Sequence, residues 1–309
     1  MQTGTYSIVA FDGAAKQVGV AMQTHNFAAC NGVIWAQPGL GVVASQAGSD
    51  PAYAFSGFEL MRLGKTAPEV LEAVRRMDTK SEYNQVAVLD TYGNVATHTG
   101  ANCIAEAGHL VGNSFSCQAN FMRNGTVWHR MAEAFQLSKG DLALRLIEAL
   151  DAGEDAGGDF RGAQSAAIKI VTTERPSQPW DGYPLDYRVY DSVRPLAELR
   201  RLVALDKAYK LLEQAHAALE KEPLDETVIH HVMDVFDRAM AKIPNIDSRL
   251  QQKFQFGLAL YDKGKTAEAL ALLRDVFGTN PGWREIASRI ARAYPNNGWA
   301  LKLDEILAA

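Results

Sequence analysis

The chain has 309 residues, 47% of them hydrophobic and 22% charged, which is the balance of a folded globular protein and not of a disordered one. Its formal net charge of −5 leaves no basic excess to neutralise phosphates, so nucleic-acid binding is excluded as the main activity. No apolar run approaches the roughly 20 residues of a membrane span. The opening Met1-Gln2-Thr3-Gly4-Thr5 lacks the basic and apolar pattern of a signal peptide. Cys30, Cys103 and Cys117 are too few and too scattered for a disulfide framework. Together these features describe a soluble cytoplasmic protein with no membrane or nucleic-acid partner.

Thr5 to Phe11 is rich in β-forming residues and ends at Asp12-Gly13, a hairpin signal; Gln17 to Gln23 returns as its antiparallel partner. Further strands are expected over Gly32 to Ala36 and Gly41 to Gln46, split by Pro38-Gly39. Helical spacing follows from Ala52 to Met61 and from Ala67 to Met77, where Pro68 suits a first turn. Gln85 to Leu89 and Asn94 to His98 form another strand pair around Tyr92-Gly93. Val127 to Phe135 and Gly140 to Leu150 read as helices, Ser165 to Val171 as a buried strand, and Tyr187 to Tyr190 as a last strand. A short helix is expected over Pro195 to Leu205. Strand pairs alternating with helix pairs give an α+β protein with mainly antiparallel pairing.

A length prior of about 150 residues per domain suggests two domains. Of 25 glycines only five (Gly257, Gly264, Gly278, Gly282 and Gly298) follow residue 205, so the turns of a sheet-rich fold are confined to the first part. We therefore divide the chain into residues 1–205, α+β, and 206–309, all helical. Helices are expected over Leu205 to Glu220, Glu226 to Ala241, Ser248 to Asp262, Thr266 to Val276 and Trp283 to Ala293. Gly257, Gly264, Ala269 and Pro281 fall at the spacing of a tetratricopeptide repeat, which this region resembles; Lys253 stands at the usual tryptophan position, and no second copy precedes it.

Five segments of the first part are more particular: Tyr6-Ser7-Ile8-Val9-Ala10, Gly19-Val20-Ala21, Ala96-Thr97-His98-Thr99-Gly100, Gln118-Ala119-Asn120 and Gly157-Gly158-Asp159-Phe160-Arg161-Gly162-Ala163-Gln164-Ser165. In this order they resemble the bacterial family known as domain of unknown function 1028, over roughly residues 5 to 205. The resemblance implies an N-terminal nucleophile hydrolase-like fold, a four-layer αββα sandwich of two antiparallel sheets.

In N-terminal nucleophile enzymes the first residue of the first strand attacks an amide carbonyl, and its own α-amine, with a reference pKa of about 7.7–8.0, is the general base. By this resemblance Thr5 is the candidate nucleophile, and a cut between Gly4 and Thr5 would resemble the self-processing of proteasome-type subunits. Ser7 lies on the same strand face and is expected to line the mouth of the site. His98, closing a strand, serves either as an acid or base or as a backbone-bonded strand end. His25 follows the second strand and can face the same mouth, whereas His109 reads as an exposed loop residue.

Gln118 and Asn120 alternate along one strand face; they either donate to an oxyanion or amide substrate, or bridge the sheets as a polar network. Asp159 and Arg161 either capture a substrate carboxylate or form an ion pair that shapes their glycine-framed loop. Gln164 exits that loop toward the site. Cys103 and Cys117 read as small buried residues, and Trp35, Tyr53, Phe55 and Phe58 as core. No metal or other cofactor is expected: HExxH is absent, His230 and His231 are adjacent on a helix, and no Lys-Ser/Thr follows the glycines.

The leading expectation is a hydrolase of small amide or related C–N bonds acting through a hydroxyl nucleophile. The alternatives are a non-catalytic small-molecule or peptide-binding protein and a hydrolase with a histidine base. The helical region would serve a protein partner or self-association.

Overall fold

A computed structural model describes residues 3–221 and 224–309, so the opening Met1-Gln2 lies outside the described residues. The first unit by internal contacts is Met1–Val203 and the second is Ala204–Ala309.

In the first unit, β1 (Thr5–Asp12) and β2 (Gln17–Thr24) form the expected hairpin, with Asp12 opposite Gln17 and Thr5 opposite Thr24. They occupy the middle of a six-stranded antiparallel sheet with β7 (Gly108–Gly112), β8 (Phe115–Asn120), β9 (Ser165–Thr172) and β10 (Leu185–Val189), in the order β10-β9-β2-β1-β8-β7. A second antiparallel sheet holds β3 (Ile34–Gln37), β4 (Gly41–Ala47), β5 (Asn84–Asp90) and β6 (Val95–Thr99) in sequence order. The β7 strand was not expected: its flanking glycines read as a turn, and the pairing of His109 with Gln118 is long-range information.

Period-two alternation sorts the side chains. On β1, Tyr6, Ile8 and Ala10 join a core shared with helices α3 (Val127–Leu137) and α4 (Leu142–Asp155), on one face of the larger sheet. Val9, with Val18, Val20 and Met22 of β2, instead meets Val42, Ala44, Ala87 and Leu89 of the smaller sheet. The far face of that smaller sheet packs Val43, Val86 and Val88 against α1 (Ala52–Arg62) and α2 (Ala67–Met77). A capping box starts α2: the Thr66 backbone N–H donates to the Glu69 carboxylate at 2.9 Å, with Pro68 in the first turn. Tyr53 and Phe58 are core residues as expected, but Phe55 is 65% exposed because it faces outward on α1.

Helix α5 (Pro195–Leu219) runs unbroken where two helices meeting at Leu205 were expected. After Pro195 it contains neither glycine nor proline, so nothing local ends it. The second unit continues with α6 (Glu226–Met240), α7 (Ile246–Asp262), α8 (Thr266–Thr279), α9 (Trp283–Ala293) and α10 (Leu303–Leu307). Asp225 and Asn245 cap α6 and α7 by accepting from the backbone N–H groups of Val228 and Ser248, each at 2.9 Å. One core of this unit is built around Phe236 and Phe256, stacked at 4.2 Å; another joins Phe254, Leu273, Phe277 and Trp299. Among the described residues, no helix is long and apolar enough to cross a membrane.

Candidate functional site

Along the inter-sheet face the side chains change character toward one end of the strands. Val9 gives way to Ser7 and Thr5 on β1, Met22 to Thr24 on β2, Ala44 to Gln46 on β4, and Ala87 to Gln85 on β5. Ser116, Gln118 and Asn120 of β8 lie on the same face, opposite Val9, Ser7 and Thr5. All of these polar residues are fully buried, so each polar group needs a partner within the protein.

The network answers most of that need. The Ser7 hydroxyl donates to Gln46 Oε1 and accepts from Gln118 Nε2, both at 2.6 Å. Gln46 Nε2 donates to Gln85 Oε1 at 2.7 Å and to the Thr5 carbonyl at 3.1 Å. Asn120 Nδ2 reaches Gln85 Oε1 at 3.1 Å and the Thr5 carbonyl at 3.4 Å. Asn120 thus bonds directly across to the second sheet, and Gln118 reaches it only through Ser7, an arrangement in line with the second of the two roles anticipated for them. Their amide oxygens, Gln118 Oε1 and Asn120 Oδ1, have no partner among the described residues. Ser7 sits deep in this network and not at a mouth.

A second set of contacts surrounds the peptide bond before Thr5. The Gly4 carbonyl oxygen accepts from Arg161 Nη2 at 2.9 Å, from the Thr5 hydroxyl at 2.7 Å and from the Thr24 hydroxyl. Thr5 Oγ1 also lies 3.2 Å from Thr24 Oγ1. Asn26 ties the group together: its Nδ2 donates to Thr24 Oγ1 at 2.9 Å, and its Oδ1 accepts from Arg161 Nη1 at 3.2 Å. Arg161 makes a two-pronged ion pair with buried Asp159, Nη2 to Oδ2 at 2.7 Å and Nε to Oδ1 at 3.0 Å. The anticipated ion pair is therefore present, and the guanidinium also reaches a carbonyl. Gly157 and Gly158 have φ of 120° and 57°, a backbone that only glycine adopts at low cost, and this turn delivers Asp159 to the site.

Among the histidines, expectation and structure differ. His98 is paired with Val86, whose face packs on α1 and α2, so strand alternation turns its ring away from Thr5; Nε2 lies 3.0 Å from the Ser81 carbonyl. His25 borders the site mainly through its backbone N–H, 3.4 Å from Asp159 Oδ2, while its buried Nδ1 has no partner among the described residues. His109, expected in an exposed loop, is half-buried on β7 with Nδ1 2.8 Å from Thr99 Oγ1; that hydroxyl in turn accepts from Gln85 at 2.8 Å. Burial, with a smaller contribution from nearby His98, lowers its pKa from the usual 6.5. Gln164 points outward to Asp191 at 3.0 Å and only its backbone meets Thr24.

Burial pushes the Cys103 and Cys117 thiols above their usual range, leaving them poor nucleophiles. Among the described residues, no group of three or more His, Cys, Asp or Glu side chains is arranged to hold a metal ion. Thr24 and Asn26 were not anticipated. The signal for Thr24 was available: a hairpin register that sets Asp12 against Gln17 also sets Thr5 against Thr24.

These features define an α+β protein of two antiparallel sheets whose shared interior turns polar at one end. It is similar to the crystal structure of a DUF1028-type protein from Silicibacter pomeroyi: 26% sequence identity, a TM-score of 0.58, and coverage of 65% of this chain and 88% of that one. The family of unknown function DUF1028 matches residues 5–199, and the chain belongs to it. Comparison with curated proteins gives no match.

Proposed function

We propose that this protein is a hydrolase of small amide or related C–N bonds, of the N-terminal nucleophile type, with Thr5 as the nucleophile. In this reading the two sheets and their helix pairs are the four-layer αββα sandwich of that enzyme class. The α7–α8 pair is a tetratricopeptide-like element serving a protein partner or self-association. The observation that carries the reading is the Gly4–Thr5 junction: the hydroxyl of Thr5 lies beside a carbonyl that Arg161 and Thr24 already polarise.

The chemistry runs in two stages. Thr5 Oγ1 bonds to the Gly4 carbonyl carbon, the C–N bond to Thr5 breaks, and the hydroxyl proton passes to the departing nitrogen. Water then adds to the resulting ester, the C–O bond breaks, and Thr5 is left with a free hydroxyl and a free α-amine. That amine, with an ordinary pKa of about 7.7–8.0, becomes the base for turnover of an external amide. In the uncut chain Thr5 is fully buried, so turnover of an external amide requires the segment through Gly4 to leave.

Intact-mass measurement on the expressed chain tests this directly. The expected product starts at Thr5, and the Thr5→Ala chain stays uncut and inactive on an amide panel. A wild-type chain that keeps Gly4 yet hydrolyses amides would overturn Thr5 as nucleophile. The complete burial of Thr5 and Ser7 in the uncut chain favours a second reading, a non-catalytic binding protein; an uncut wild-type chain inactive on every amide would support it.

A further inference from the structure

We infer that the acyl side of this site is built for glycine, so that its substrates are N-acylglycyl amides, peptide-like molecules cut after an unsubstituted α-carbon. This inference rests on the proposed role of Thr5 and adds the substrate class. Its basis is the space around Gly4. A Cβ on that residue would lie 2.7 Å from Asp159 Oδ2 and 2.9 Å from Arg161 Nη2, closer than real Cβ atoms approach, and 3.0 Å from Phe121 Cβ, tighter than all but a few such contacts.

None of those three neighbours can withdraw cheaply. Asp159 is buried and accepts from the Arg161 backbone N–H at 2.9 Å as well as from the guanidinium. Phe121 is fixed at both backbone groups, its N–H donating to Ile104 at 2.9 Å and its carbonyl accepting from Phe160 at 3.0 Å. The Arg161 guanidinium lies over the Phe121 ring, 5.1 Å from its centroid. A side chain on the acyl residue would have to break the ion pair or move a pinned backbone.

The position before the glycine is recognised differently. The Thr3 backbone N–H donates to the Ala47 carbonyl at 3.0 Å, a main-chain bond that any residue but proline can make, and the Thr3 hydroxyl adds only a longer bond to the same oxygen at 3.4 Å. The site thus demands a missing side chain next to the bond that breaks and an extended, sequence-tolerant backbone one residue earlier. Hydrolysis turns the glycyl carbonyl into a carboxylate where Arg161 already donates, so the released N-acylglycine is also a ligand of the processed protein.

The test uses the full-length chain as expressed, in two assays. In the first, intact mass is followed over time for wild type, Gly4→Ala and Thr3→Ala. Self-cleavage is expected to slow by about tenfold or more in Gly4→Ala and to change less than about twofold in Thr3→Ala. In the second, processed wild type is offered the anilides of N-acetylglycine and N-acetyl-L-alanine. The expectation is a kcat/KM ratio of about ten or more for glycine, with free N-acetylglycine competing and N-acetyl-L-alanine not. Equal cleavage of both anilides overturns the glycine inference while leaving Thr5 in place, and that assay decides if Gly4→Ala does not fold. A wild-type chain that is never cut overturns the Thr5 reading and this inference together.

Discussion

Thr5 is gripped at both of its peptide bonds by side chains far away in sequence. Its own carbonyl accepts from Gln46 and Asn120, and the carbonyl before it accepts from Arg161 and Thr24. Each residue type and the strand alternation that groups them can be read from the sequence; the distribution of labour cannot. Gln118 and Asn120 look like donors for an oxyanion, yet Thr5 stands opposite Asn120 in the sheet, and that register aims the amides at the network beneath it. The histidines divide on the same principle. His98 and Thr99 are neighbours, so only one of them can face the other sheet, and it is Thr99 that meets His109. Because burial lowers the His109 pKa, the folded protein binds that proton less readily than the unfolded chain does. Its contribution to stability is complete above the unfolded value of about 6.5 and is lost as the pH falls through the lower folded value. Wild type is therefore expected to lose more of its Tm than His109→Gln between about pH 7.5 and pH 5. Parallel melting curves for the two proteins would assign that loss to other groups.

At the scale of the elements, local signals carry far when a segment has its own period and its own stops. Helix α2 begins at the Thr66–Glu69 capping box and α4 at Asp141, whose carboxylate accepts from the Leu144 N–H at 3.0 Å. Both signals are visible in the string of residues. The β7 strand lacks any such signal, since Gly108-His-Leu-Val-Gly112 is short and exists only because β8 pairs with it. Helix α5 fails in the opposite direction: its sequence has no stop, and the change from one core to the other along its length leaves no local mark. Helix α4 packs on the face of the hairpin opposite the buried network. Leu146 is fully buried on α4, and a Cβ on Gly19 of β2 would come within 2.7 Å of its Cδ1. Leu146→Ala is expected to cost about 2–5 kcal/mol in denaturant unfolding with an unchanged m-value. A cost below about 1 kcal/mol would mean that the site collapses around the missing atoms.

For the whole molecule, the two contact units carry separate cores, each with its own aromatic centre. In the second, Phe256 stacks on Phe236 at 4.2 Å and meets the edge of His216 at 5.0 Å, fully buried. Phe256→Ala is expected to remove about 3–5 kcal/mol from that unit. Calorimetry should then show one transition moving down while the transition of the sheet unit holds its temperature; a single transition shifting as a whole would contradict independent cores. The uneven distribution of glycine already indicates such a division, because tight turns are a local demand that sheets make and helices do not. By itself, then, the sequence determines the α+β class of the first part, the helical character of the second, the main strands and helices, and the family motifs around Thr5, Gln118 and Asp159. Each of these depends on the period of a short segment or on residues close together along the chain. Only the tertiary structure decided which polar groups meet. Strand order set Thr24 beside Thr5, and the loop of Asp159 and Arg161 reached the Gly4 carbonyl from 157 residues away along the chain. Those contacts join positions that no local rule connects, and they exist because two sheets bury one polar edge between them.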